Sequence, residues 1–150
     1  AELAARVEQT ARELAHSYSS LSATGGKIGN AVRTLAQRHE GRATFDLSGL
    51  PEVHLGGSTA PHLHRIVQES VTNAMRHGSA THIRIALKTE SPLWQLIIED
   101  NGSGFYPSQT PPGLGLQTMA YRAAQIGGAL RVEKNAGGGM RVTCEFPPAS

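Results

Sequence analysis

The sequence predicts an α+β fold, a two-layer α/β sandwich in which a mixed β-sheet is covered by helices and preceded by a helical segment. Three observations support this fold class. After about residue 40, segments with helical periodicity alternate with segments of strand-like alternation. Two pairs of strand segments are separated only by short turn-prone stretches. Apolar residues occupy every second position of the last two strands, as in a sheet with one face buried by helices.

The first part of the chain is predicted to be helical. Residues 2–23 carry apolar side chains at mixed three- and four-residue spacings, and this narrow stripe favours helix pairing. The stretch "ATGGKIGN" breaks the pattern, and a second helix follows with Asn30 as its N-cap and its end near Gly41. We therefore divide the chain into a helical segment, 1–40, and a separate domain, 41–150.

The middle of the chain reads as strand, loop, helix and hairpin. "RATFDL" is a strand, and "GLPEVHLGGSTA" is a loop. The next helix begins at Ser58 or Thr59, has Pro61 in its first turn and stops at Gly78. "THIRIALKT" and "LWQLIIED" form a hairpin around "ESP", and the second strand ends at Asp100.

The last part of the chain is predicted to be a helix followed by a second hairpin. "LGLQTMAYRAAQI" is closed by Gly127 and Gly128, and "ALRVEK" and "MRVTCEF" flank the turn "NAGGG". The single cysteine, Cys144, is interpreted as a small buried strand residue, and Trp94 as part of the core.

Composition excludes several functional classes. The net charge is +2, with 14 basic residues against 12 acidic ones spread along the chain, so direct nucleic-acid binding is not expected. No apolar run approaches the roughly 20 residues of a membrane span, and the start does not resemble a signal peptide; we expect a cytoplasmic location. His62 and His64 are two positions apart and point to different helix faces, so a structural zinc site is not expected.

One helix face carries a polar triplet. Glu69, Asn73 and His77 are spaced i, i+4, i+8, which places them on one side of the helix. An acid, an amide oxygen and an imidazole suit a hydrated divalent cation that carries phosphates, whereas the alternative interpretation is an ordinary solvated face.

The glycine-rich segments favour the first interpretation. Asp100 at a strand end can accept a hydrogen bond from an exocyclic amine, and Gly102 and Gly104 leave room for a flat ring such as adenine. Gly113 and Gly115 precede a helix whose first N–H groups form a phosphate site.

These three segments carry a family resemblance. "QESVTNAMRHG", "EDNGSGF" and "GLGLQTMAYRAAQIGGALRVEKNAGGGMRVTCEFP" resemble the N, G1 and G2 boxes of the ATP-binding catalytic domain of sensor histidine kinases, which belongs with gyrase B, Hsp90 and MutL to the GHKL superfamily. The resemblance covers residues 42–148. It implies a Bergerat-type ATP-binding fold, and the short lid "FYPSQTPP" is similar to the branch of nitrate sensors and the lipid thermosensor.

The resemblance also implies roles for individual residues. Asn73 would coordinate Mg²⁺, and Glu69 would orient or polarise a group near the γ-phosphate of ATP, so that these two are the candidate catalytic residues. Asp100 would read the adenine amine. The other candidate cofactor-binding residues would line the base pocket or contact the phosphates: Gly102, Gly104, Gly113, Leu114, Gly115, Arg76 and His77. Met140 and Tyr121 depart from the family pattern, which usually has a threonine and an acid there.

The implied partners lie outside this chain. In the family, a histidine on a dimerising helical hairpin attacks the γ-phosphate, and a response regulator then receives the phosphoryl group. His16 is not expected to be the acceptor, because Ser17 follows it where the branch has an acid. Residues 1–40 would be the last part of the hairpin of a homodimeric protein. Any membrane anchors of that protein would lie upstream. Two alternatives stay open: a related anti-sigma-type serine kinase, and a pseudo-kinase that only binds nucleotide or docks a partner.

Overall fold

The computed structural model describes residues 4–8, 12, 27–56, 58–104 and 114–148. Residues 4–8 and Arg12 are helical, as predicted, and the remainder of the first predicted helix, with His16, lies outside the described residues. Three longer helices follow: α1 (Ile28–Arg38), α2 (Thr59–Arg76) and α3 (Leu114–Gln125). The strands are β1 (Thr44–Asp46), β2 (His82–Lys88), β3 (Trp94–Asp100), β4 (Ala129–Lys134) and β5 (Met140–Phe146).

The five strands form one mixed sheet in the order β1-β2-β3-β5-β4. β1 is parallel to β2, and all other neighbours are antiparallel. Both predicted hairpins, β2–β3 and β4–β5, are confirmed. The central pairing joins β3 to β5, so that Leu96 lies opposite Cys144 and Ile98 lies opposite Val142. The α+β sandwich predicted from the sequence is therefore confirmed.

The helices cover one face of the sheet. Alternate strand residues point into a single core together with the apolar sides of α1, α2 and α3. Its largest fully buried side chains are Phe146, Ile28, Leu63, Ile66, Ile83, Ile85, Leu96 and Met119. Trp94 packs against this core with its ring edge-on to Phe146. This packing places α2 against β3, and α3 against β4 and β5.

The start of α1 differs from the prediction. We expected Asn30 to be the N-cap, but the helix begins at Ile28 and Lys27 precedes it. The physical reason is burial, because Ile28 packs in the core with Val32 and Leu35 of the same helix face. Asn30 lies inside the first turn, where its side chain accepts a hydrogen bond from Arg33.

Helix α2 begins and ends where the sequence predicts. Ser58 is its N-cap residue, and His77 ends it. The chain then reverses tightly, since Gly78 N–H donates to the carbonyl of Asn73 and Ala80 N–H donates to that of Ala74. Among the described residues, no helix has both the length and the apolar character needed to cross a membrane.

Cys144 is fully buried on β5, as predicted, and burial raises the pKa of its thiol to about 12. Because only the thiolate is a good nucleophile, we expect the native chain at pH 8 to react with iodoacetamide at least about 100-fold more slowly than the same chain in urea. The rate of alkylation is measured by mass spectrometry. Equal rates in the two conditions would contradict the burial of Cys144.

Candidate functional site

A cleft opens between α2, the end of β3 and the β4–β5 hairpin. It encloses about 380 Å³, part of which is open to solvent. Apolar side chains form most of its walls, and the polar groups are concentrated on α2 and at the end of β3. The lining residues are Ser70, Asn73, Ala74, Gly78, Asp100, Gly104, Leu116, Val132, Met140 and Val142. A concave apolar site with a few convergent polar groups is typical of small-molecule recognition.

Asp100 is the main polar group on the sheet side of the cleft. As the last residue of β3, it is half-buried, and its Oδ1 accepts hydrogen bonds from the backbone N–H groups of Gly102 (2.8 Å) and Met140 (3.3 Å). Both bonds use the same oxygen. The carboxylate is thus held from behind, while Oδ2 is left as an acceptor for a donor in the cleft.

Glycines allow the backbone to approach Asp100 closely. A Cβ on Gly139, which has φ +84°, would overlap the carbonyl oxygen of Asp100. A Cβ on Gly102 would stand 2.5 Å from the carbonyl oxygen of Gly78, the same oxygen that accepts a hydrogen bond from Ser103 N–H. Three chain segments therefore pack closely at the end of β3, because Gly78, Gly102 and Gly139 carry no side chains at these contacts.

Asn101, next along the chain, joins this end of β3 to the start of β2. Its Oδ1 accepts hydrogen bonds from the backbone N–H groups of Thr81 and His82, both at 2.9 Å. The side chain therefore takes the place of a further strand pair and fixes the direction in which the chain leaves Asp100.

The polar face of α2 meets the first turn of α3. A Cβ on Gly115 would stand 3.0 Å from Oε2 of Glu69 and 3.8 Å from Oδ1 of Asn73. The structure thus brings together an acid, an amide and the N-terminal turn of a helix, which carries N–H groups without intrahelical partners. This end of the cleft has the chemistry for anions and a metal ion.

A buried polar cluster continues along the antiparallel α2–α3 contact. Arg65 forms a salt bridge with Glu69 (Nη2 to Oε1, 2.8 Å), and Nη1 donates to Gln68. Arg122 on α3 lies 3.3 Å from Nδ1 of His62. Because arginine only donates, this imidazole nitrogen accepts, which requires a neutral ring. Burial and the charge of Arg122 lower the pKa of His62, in agreement with that requirement.

The remaining predicted site residues are placed as follows. Arg76 and His77 are exposed at the end of α2. Gly104 lines the cleft and has φ +86°. Gly113 lies outside the described residues, as does the predicted lid between Gly104 and Gly113. Leu114 begins α3, but its side chain is also outside the described part.

Sequence reasoning missed several residues of the cleft. Gly78 is predicted as a helix stop and Gly139 as part of a turn, yet Gly78 lines the cleft and Gly139 packs on Asp100. Ser70 lines the cleft as well. Of the two departures from the family pattern, Met140 lines the cleft and Tyr121 is exposed on α3. The run of three glycines before Met140 was the available signal, because a hairpin turn needs fewer.

Among the described residues, no group of three or more His, Cys, Asp or Glu side chains could hold a metal ion by itself. A metal at Asn73 would therefore need most of its ligands from waters and from the oxygens of a bound ligand, which is the usual arrangement for Mg²⁺.

Comparisons with known proteins agree on the family. The pattern described as histidine kinase-, DNA gyrase B- and HSP90-like ATPase matches residues 58–150. The chain is 39% identical to the sensor histidine kinase LnrJ of Bacillus subtilis over 71% of this chain and 26% of that protein. It is 34% identical to the nitrate/nitrite sensor protein NarQ of Escherichia coli over 77% of this chain and 21% of that protein. The chain thus spans about a quarter of the length of these curated relatives.

Solved structures support the same fold. The ATP binding domain of PrrB from Mycobacterium tuberculosis superimposes with a TM-score of 0.66 and 26% identity, covering 82% of this chain and 92% of that one. The histidine kinase AdeS of Acinetobacter baumannii gives a TM-score of 0.68 over 99% of this chain and 83% of that one, and at 19% identity this likeness concerns the fold alone.

The contact between Gly139 and Asp100 gives a stability prediction. We expect Gly139→Ala to lower the free energy of unfolding by about 2 to 4 kcal/mol, because the methyl group meets backbone and the φ of +84° is strained for alanine. Gly137→Ala in the same turn is the control, since a Cβ there meets nothing within 4 Å, and it should change stability by less than about 0.5 kcal/mol. Urea denaturation measures both, and equal values would contradict the close approach.

Proposed function

This chain belongs to the family of histidine kinase-, DNA gyrase B- and HSP90-like ATPases, and we propose that it is the Mg-ATP-binding catalytic domain of a two-component sensor histidine kinase. One observation carries the proposal: Asp100 is held at the end of β3 by two backbone N–H groups and shares its cleft with Asn73 of α2. A nucleotide fits this cleft, because a hydrogen-bond acceptor for its nucleobase lies at one side and a metal ligand lies at the other.

The sheet side of the cleft would bind adenine. Oδ2 of Asp100 would accept a hydrogen bond from the exocyclic amine, while Gly104 leaves space for the ring beside the backbone. Apolar contacts from Met140 and Val142 would cover the faces of the base. Met140 would replace the threonine usual in the family by a larger apolar surface.

The helical side would bind the phosphates and the metal ion. Asn73 would supply an amide oxygen to Mg²⁺. Glu69, one turn earlier on α2, also faces the first turn of α3 at Gly115. The N–H groups of that turn, with Gly113, Leu114 and Gly115, would hold phosphate oxygens, and Arg76 and His77 would add positive charge near the phosphate chain. When bound, Mg²⁺ would neutralise charge on the phosphates.

The reaction would be transfer of the γ-phosphoryl group. A histidine nitrogen of the dimerisation domain would form a bond to the γ-phosphorus, the bond to the bridging oxygen would break, and ADP would leave. Residues 1–40 would contribute the end of the helical hairpin, and the acceptor histidine would lie outside this chain. A response regulator would then take the phosphoryl group, and the full protein would be a homodimer. These steps belong to the whole protein.

The two alternatives use the same cleft and differ in what becomes of the phosphoryl group. A serine kinase would bind Mg-ATP equally well, and the likeness to LnrJ and NarQ favours the histidine kinase over it. A docking module would bind nucleotide or a partner without transfer, and the failure of a supplied hairpin domain to accept phosphate would favour that reading.

Asp100→Asn tests the adenine contact. Because Oδ1 already accepts two backbone N–H groups, the new amide must keep its oxygen there and turn its NH₂ toward the adenine amine, so that one donor faces another. We expect Mg-ADP binding to weaken by about 1 to 3 kcal/mol in calorimetric titration.

Asp46→Asn is the matched control, because Asp46 is exposed on β1 and bonds only to Ser48 among the described residues. This variant should bind Mg-ADP as the unaltered chain does. Saturable binding that both variants retain in full would rule out Asp100 as the adenine acceptor, and an unaltered chain that binds no nucleotide would overturn the proposed function.

Asn73→Ala tests the metal ligand. The unaltered chain should bind ADP more tightly with Mg²⁺ than with EDTA, and Asn73→Ala should lose most of that gain while keeping its EDTA affinity, because only the metal contact is removed. Asn30→Ala on α1 is the control and should keep the gain. A full Mg²⁺ effect in Asn73→Ala would place the metal ion elsewhere.

A further inference from the structure

Arg65 lies one turn before Glu69 on α2 and is fixed by its own helix. Its side chain is only 8% exposed, and its guanidinium bonds to Oε1 of Glu69 at 2.8 Å and to Oε1 of Gln68 at 3.3 Å. The two bonds, from Nη2 and Nη1 to different side chains, restrain the planar group. Its contact with Glu69 is therefore different from an exposed i, i+4 pair, in which both side chains move freely.

The burial and the positive charge around Arg65 make its ion pair with Glu69 a poor source of stability. A second buried guanidinium, that of Arg122, lies nearby on α3. Burial is the main cause that lowers the pKa of Arg122, and the positive charge of Arg65 lowers this pKa further. Glu69 acts on Arg122 in the opposite direction. Apolar residues at such a helix contact are generally as stabilising as buried ion pairs, or more so. Stability alone therefore does not account for the charges at this helix contact.

The other oxygen of Glu69 faces the proposed phosphate end. Oε2 approaches the first turn of α3 at Gly115, beside the amide of Asn73. An uncompensated carboxylate there would repel a bound phosphate, and the repulsion grows with the number of phosphates. The site therefore needs a positive charge next to Glu69, and Arg65 is the group that bonds to it directly.

We infer that Arg65 is a positioning residue that sets the preference for a triphosphate over a diphosphate: it neutralises Glu69 and holds Oε1 on the side away from Gly115. The inference rests on the proposed function, because it concerns the phosphate end of the same cleft. Arg65 itself touches no phosphate. It acts through Glu69, whose charge and direction it fixes.

The test compares ATP and ADP affinity, each with Mg²⁺, by calorimetric titration of the whole chain. In Arg65→Gln, Glu69 loses its compensating charge, and we expect ATP affinity to fall about tenfold more than ADP affinity. Arg65→Lys keeps the charge and should recover most of the ratio. The double variant Arg65→Gln/Glu69→Gln removes both charges and should restore it.

Arg131→Gln is the matched control, since Arg131 forms an exposed ion pair with Glu133 on β4 and should leave both affinities unchanged. Equal losses for ATP and ADP in Arg65→Gln would show that Arg65 only supports the fold, and this overturns the inference. An unaltered chain that binds neither nucleotide overturns the proposed function instead, so the two failures are distinguishable.

If Arg65→Gln does not fold, the Glu69→Gln variant alone tests the inference. This variant leaves the positive charge of Arg65 without its carboxylate, so ATP should gain affinity relative to ADP. A ratio that stays constant or falls would overturn the inference. Thermal unfolding of each variant separates loss of folded protein from loss of affinity.

Discussion

The candidate site depends on the close backbone packing around Asp100. The carboxylate lies at the end of a central strand, where Gly102 packs on the turn after α2 and Gly139 packs on Asp100 itself. Side chains at these two glycines would force the segments apart, and the two N–H donors that fix Oδ1 would move with them. The direction of one carboxylate is therefore set by packing between segments about 40 residues apart in the chain.

The pairing of α2 with α3 combines stability with chemistry. Apolar residues such as Ile66 and Met119 join the two helices to the core, while Arg65, Glu69 and Arg122 place charges along the same contact. Buried charges of this kind rarely add stability. One part of the helix contact therefore packs the second layer of the fold, and another part presents Glu69 to the cleft.

The candidate site could be predicted in part. The spacing of Glu69 and Asn73 placed them on one helix face, and the glycine pairs after β3 marked a close approach, because both signals are local. The residues that complete the walls of the cleft were not predictable in the same way. Val132, Met140 and Leu116 reach the cleft only because β4, β5 and α3 fold over it, and no local pattern distinguishes them from ordinary core residues.

Local sequence patterns were sufficient to predict the helices and strands. Alternation, helical periodicity and terminal glycines gave both hairpins and the bounds of α2 and α3, because they reflect backbone preferences over a few residues. Long-range packing determines that β5 inserts between β3 and β4, that α1 begins at the buried Ile28, and that Gly139 meets Asp100. Such contacts join distant segments, and their geometry is fixed by packing of the whole core, which local sequence patterns do not encode.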